Sequence, residues 1–194
     1  MSAYFGEYMG LFKVLYTSID TSWKIPLTIL VNIPRVEYCG EAIGPYSPGD
    51  NVELPRYIAD MLLRGNLAKV NTKKLPTSIE LSKLLWIEER SEQLQKLDED
   101  FLHRVKLYLK SLEQLAREST SVNPILLAQE AQYVKIKVLD LMKRRLVKIV
   151  KIALSNPNPR QEVLEKLTIE ERMLYIKLCK ELGSWLSFLE NEFK

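Results

Sequence analysis

The chain has 194 residues, 46% apolar and 27% charged, with a net charge of +3. That is the make-up of an ordinary soluble globular protein of one medium or two small domains. The net charge is a mild bias, far from the strongly basic balance of most nucleic-acid-binding domains, and decides nothing by itself. Cys39 and Cys179 stand alone, without a CxxC partner, so neither a zinc site nor a disulfide framework is expected, and both are predicted to be reduced and partly buried.

At the N-terminus, MSAYFGEYMGLFKVLY carries Glu7 ahead of any cation and lacks a small-residue cleavage site, so it does not read as a secretory signal. No run reaches the roughly 18 apolar residues of a membrane span. A soluble, intracellular protein with no membrane association is expected.

Six of the 7 glycines and six of the 9 prolines precede residue 77. Because both residues end regular elements, an α+β chain is predicted, with a small β-rich domain carrying one short helix over 1–75 and an α-helical bundle with long helices over 76–194. In the first part, LTILVNIPRVEYCG (27–40) is β-branched and broken by Pro34, fitting two short strands or one strand with an edge or bulge. GPYSPGD (44–50) reads as a tight turn in which Gly44 and Gly49 supply positive φ. Pro55 suits the first turn of a helix over 56–63, with Gly65 expected in the left-handed position beyond its end. Tyr57, Ile58, Met61 and Leu62 form its apolar face, and LAKV (67–70) can return as a strand.

Three helices are expected in the second part. Leu94, Leu97, Phe101, Val105, Tyr108, Leu112 and Leu115 recur every three or four residues, predicting one continuous helix from 78–80 to 119, about 60 Å long. The next is predicted over 124–154, with a stripe of Leu127, Ala131, Val134, Val138, Leu141, Ile149 and Ile152, and is stopped by SNPNPR. Thr168 with Glu171 forms a capping box for the last, whose stripe is Ile169, Met173, Ile176, Leu182, Leu186 and Leu189. These stripes carry more apolar surface than three helices can cover among themselves. Leu94, Leu97, Phe101, Val105, Tyr108, Leu112, Tyr175 and Trp185 are therefore the candidate subunit interface, with Trp86, Tyr175 and Trp185 also candidates for the core.

Sites of chemistry are not evident. His103 has no second histidine to work with and is expected at the surface or its boundary. Glu88–Glu89 and Asp98–Glu99–Asp100 are adjacent acids, which diverge by about 100° on a helix and read as solvated faces. None of GxxxxGK[ST], GxGxxG, GxSxG or HExxH occurs, so neither catalysis nor a cofactor is expected. Lys137, Arg144, Lys148 and Lys151 share one side of the second helix and could contact phosphate or an acidic partner. Arg145 falls nearer the apolar side, where it either snorkels or meets a carboxylate across an interface.

The stretch IGPYSPGDNVELPRYIADML (43–62) ahead of a long helix resembles the GINS replication complex, in the type whose small β-domain precedes its helical domain. LTIEERMLYIKLCKELGSWL (167–186) is similar to the end of GINS helical domains. The resemblance implies the two-subunit archaeal form, or a divergent eukaryotic subunit, and a 2:2 heterotetramer with a sister subunit joined through helical domains. It further implies contact with the MCM helicase and a RecJ-like partner, with DNA touched weakly or indirectly, in the cytoplasm at the nucleoid (or in a nucleus). The small domain would dock through Tyr46, Leu54, Tyr57 and Met61. The alternatives are a DNA-binding module using 137–151 and an unrelated helical adaptor.

Overall fold

The computed structural model describes residues 23–38, 41–118 and 123–193. The expectations for the N-terminal segment 1–16 and for Cys39 lie outside these residues. The chain divides into two compact units, 1–74 and 75–194.

In the first unit, β1 (Lys24–Ile29) is the central strand of an antiparallel three-stranded sheet between β4 (Asn51–Pro55) and β5 (Ala68–Val70). Leu27 stands opposite Val52 on one side and Val70 on the other. β2 (Val36–Tyr38) and β3 (Glu41–Ile43) form a separate antiparallel pair, so the run does give two short strands, but the first already ends at Ile29 and Pro34 lies in the irregular link between them. Helix α1 (Arg56–Arg64) packs on the three-stranded sheet through Ile58, Ala59 and Leu62. The 44–50 turn is bound back to its own unit: Gly49 N donates to Ile29 O at 2.8 Å and Ser47 N to Asp50 Oδ2 at 2.8 Å. Gly44 has φ +82, and a Cβ there would lie 2.8 Å from the Pro34 carbonyl oxygen, which requires glycine on both counts.

Gly65 departs from expectation. It is right-handed (φ −78), and Asn66 takes the left-handed place at φ 53. The helix runs one residue further than predicted, so the Schellman hydrogen bonds fall on Asn66 N to Leu63 O (3.1 Å) and Leu67 N to Leu62 O (2.9 Å), and asparagine tolerates the left-handed turn. The apolar face of α1 also divides: Ile58 and Leu62 are buried, whereas Tyr57 and Met61 are exposed.

The second unit holds α2 (Ser78–Arg90), α3 (Phe101–Glu118), α4 (Pro124–Ser155), a single turn α5 (Gln161–Leu164) and α6 (Ile169–Glu192). Capping boxes start α2 at Thr77 and α6 at Thr168. α4, about 48 Å long at 1.5 Å per residue, is the spine against which α2, α3 and α6 pack.

The expected continuous helix over 78–119 is instead two helices separated by residues 91–100. Ser91 takes extended dihedrals (φ −93, ψ 134), and its hydroxyl is bonded to the amide and carbonyl of Gln93. Leu94 and Leu97 keep the helical spacing in the sequence, yet they are loop residues driven into the core. Leu94 joins Ile149, Ala153, Val163, Leu167, Tyr175 and Cys179 there. The buried line of α6 is Glu171, Tyr175 and Cys179. Ile176 and Leu186 of the predicted stripe are exposed, so the helix is rotated from the expected orientation.

Candidate interaction surface and a buried charge hub

Arg145 lies on the buried side of α4, four residues beyond Leu141 and four before Ile149, and is 0% exposed. A guanidinium there must satisfy five N–H donors, and all five are met. Nε donates to Glu171 Oε1 at 2.8 Å, and Nη2 to Glu171 Oε2 at 2.8 Å and Lys166 O at 3.0 Å. Nη1 donates to Gln95 O at 2.7 Å and Glu88 Oε2 at 3.2 Å. Lys148, one turn along α4, donates to Glu88 Oε1 and to the Glu88 carbonyl, each at 2.6 Å. Two cations thus meet two carboxylates, a balanced group that compensates the cost of removing its members from water.

The hub explains the local fold. Arg145, Lys148 and Glu88 take up polar groups of the 91–100 loop, which could not otherwise be buried. Lys148 reaches Gln93 O at 3.2 Å, and Glu88 Oε2 accepts from Gln95 N at 3.3 Å. Glu171 also accepts from Thr168 N at 3.0 Å, so one side chain caps α6 and fixes its rotation on α4. Arg145 does meet a carboxylate, but within its own unit. Glu88, expected on a solvated face, is 1% exposed. His103, expected at or near the surface, is also buried.

Toward the start of α4 a second polar cluster holds the other end of α2. Glu130 accepts from Ser78 N at 3.0 Å, Ser78 Oγ at 2.6 Å and Tyr108 Oη at 3.2 Å. Burial pushes the Tyr108 phenol up to about 12, and the Glu130 charge and hydrogen bond add to that by opposing a phenolate. Glu130 and the hub together grip α2 at both ends.

The predicted interface residues are redistributed by this packing. Leu94, Leu97, Phe101, Val105, Tyr108, Leu112 and Tyr175 are all buried, so as a correction they are core residues of the chain itself. The reason is that α3 lies against α4 and the 91–100 loop folds inward. Trp185 alone of that set is exposed, stacked on Phe188 with centroids 5.7 Å apart. Trp86 is exposed too, with the Arg90 guanidinium 4.0 Å above its ring. In the first unit Leu54 is buried, Tyr46 half-buried, and Tyr57 and Met61 exposed.

The basic ridge is likewise dismantled. Lys148 turns into the hub, and Arg144 pairs with Glu89. Lys137 is half-buried, and Lys151 remains exposed. The carboxylates that quench the ridge come from α2, some 60 residues away in sequence, beyond the reach of local pattern.

What the periodicity of α4 also contains is a second apolar stripe, opposite the buried one. Ile125, Ile136 and Val147 recur every eleven residues, about three turns, and with Leu139, Leu146 and Leu154 they are exposed. Ile125 is 66% exposed and Leu139 59%. A helix apolar on both faces is ordinarily covered on both. Periodicity along the chain brings out one stripe, because the pattern of the buried face masks the other.

Among the described residues, no three His, Cys, Asp or Glu side chains converge as metal ligands. No helix among them is long and apolar enough to cross a membrane. No curated protein matches the chain significantly. The family model that matches is Sld5, the GINS complex protein helical bundle domain, over residues 73–188. That span includes the capped helices, the hub and the two-faced α4, and it exceeds half of the chain. The chain therefore belongs to the Sld5 family and is a subunit of the GINS complex of DNA replication.

Proposed function

We propose that this GINS subunit performs no chemistry of its own and works as one wall of an assembly, pairing with a sister subunit in a 2:2 heterotetramer through the outer face of α4. The observation that carries this reading is that α4 is apolar on two sides while its own unit covers only one. The assembled complex would bind the MCM helicase and a RecJ-like partner at replication forks, in the cytoplasm at the nucleoid. It would act by differential binding, favouring the helicase conformation competent to unwind.

Size-exclusion chromatography with light scattering tests the pairing. The chain alone is expected to self-associate, and with its sister to elute as one 2:2 species. A stable solo monomer that ignores the sister would sink the reading. A DNA-binding role through 137–151 has less support, since Arg144 and Lys148 are already paired with Glu89 and Glu88.

A further inference from the structure

Between α4 and α6 lies a pocket of about 210 Å³ lined by Met142, Leu146, Ile149, Leu174, Glu170 and Glu171. Its wall is almost wholly apolar apart from the two carboxylates. Glu171 is committed to Arg145 and to the Thr168 amide. Glu170 is not: both of its oxygens are withdrawn from water, and neither makes a hydrogen bond. Burial raises the pKa of its carboxyl and the Glu171 charge adds to the rise; the polar groups of its own backbone and Thr168, which approach without reaching hydrogen-bonding geometry, and the Lys106 charge offset it only in part. A carboxylate placed this way has lost its hydration without gaining donors in return. Leu146, at 43% exposure, belongs to the outer face of α4, so the pocket opens along the flank of that stripe.

We propose that this pocket is a socket for a lysine or arginine side chain of the polypeptide that covers the outer face of α4. The stem of such a side chain is apolar and matches Met142, Leu146 and Leu174, while its head supplies the donors that Glu170 lacks. A wholly apolar knob would fill the space and leave the carboxylate unmatched, and an acidic one would be repelled. The proposal deepens the pairing reading and rests on it for the identity of the occupant. It adds that the sister chain presents a basic anchor at this point.

The socket can be probed without the sister chain. The full-length protein, labelled at Leu and Met methyls, is titrated by NMR with n-butylguanidinium and, separately, with n-pentanol, a neutral probe of similar length. Saturable shifts at Met142, Leu146 and Leu174 are expected with the guanidinium, and binding about tenfold weaker with pentanol. Glu170→Gln should weaken the guanidinium about tenfold, the loss of one charged hydrogen bond. Leu174→Trp, which fills the space, should abolish binding of both probes even if Glu170→Gln is poorly folded. Equal binding of the two probes, indifference to Glu170→Gln, or no saturable shift overturns the socket. If the probe binds as expected and the sister still pairs with an Ile136→Asp chain, the socket stands and the pairing surface falls.

Discussion

At the scale of single residues, Arg145 occupies a place in the pattern of α4 where an aliphatic side chain would be expected, and it organises three segments around itself. Replacing it alone by methionine leaves Glu171 buried without its cation, while Glu88 keeps Lys148. Arg145→Met should therefore cost about 3–5 kcal/mol, read by urea unfolding; a cost below about 1 kcal/mol would mean that the hub is not under strain from its own desolvation. Adding Glu171→Gln should recover much of the loss, because the Lys148–Glu88 pair then remains balanced and no uncompensated charge is left. Glu170 predicts a pH dependence of opposite character. Its folded pKa is raised, mainly by burial, so the folded state holds this proton more tightly than the unfolded chain, and the group weighs against folding once pH rises through and above the ordinary carboxylate range. Glu170→Gln should thus gain stability relative to the parent at pH 7, and the gain should vanish as pH falls below that range. Thermal melts at pH 4 and pH 7 measure it. Only half of the hub was legible beforehand. The capping box marked Glu171, but nothing local in sequence ties Arg145 to Glu88, 57 residues away.

At the scale of elements, the caps and stops were readable because they are local. Thr168 with Glu171, Pro124 and the two prolines after Ser155 act on backbone groups within a turn of themselves. The break between α2 and α3 was not. Leu94 and Leu97 must be apolar whether they sit on a helix or on a loop folded into the core, so the spacing of the stripe carries through a segment that is not helical. What ends α2 is the hub, which rewards an extended 91–100 by satisfying its carbonyls. The outer stripe of α4 yields the prediction proper to this scale. Ile136→Asp or Val147→Asp places a charge on an exposed face, so either should leave the unfolding midpoint within about 0.5 kcal/mol of the parent. Either should nonetheless abolish pairing with the sister subunit on light scattering. Leu112→Asp, on the buried stripe of α3, should instead unfold the domain. Identical behaviour of Ile136→Asp and Leu112→Asp would mean that the outer face belongs to the core.

For the whole molecule, the charge distribution in space differs from that along the chain. Arg144, Arg145 and Lys148 of the basic run 135–151 are paired with Glu89, Glu88 and Glu171, so the ridge has fewer charges to displace counterions from a nucleic acid than its sequence suggests. Affinity for single- or double-stranded DNA is expected to be weak, with a log K against log salt slope shallower than about −2, read by fluorescence anisotropy across a salt series. A steep slope would restore the basic face as a binding surface. The GINS membership points the same way, toward contacts with other chains.

The amino-acid sequence by itself determined the α+β composition, the turn around Gly44, the capping box at Thr168 and the family resemblance, since each is written in neighbouring residues. Tertiary structure alone decided which apolar stripe is core and which is left facing outward, and which charges are spent inside the molecule. Periodicity shows that a face is apolar but not what lies against it. Opposite charges can neutralise one another across 60 residues only when the helices carrying them have packed.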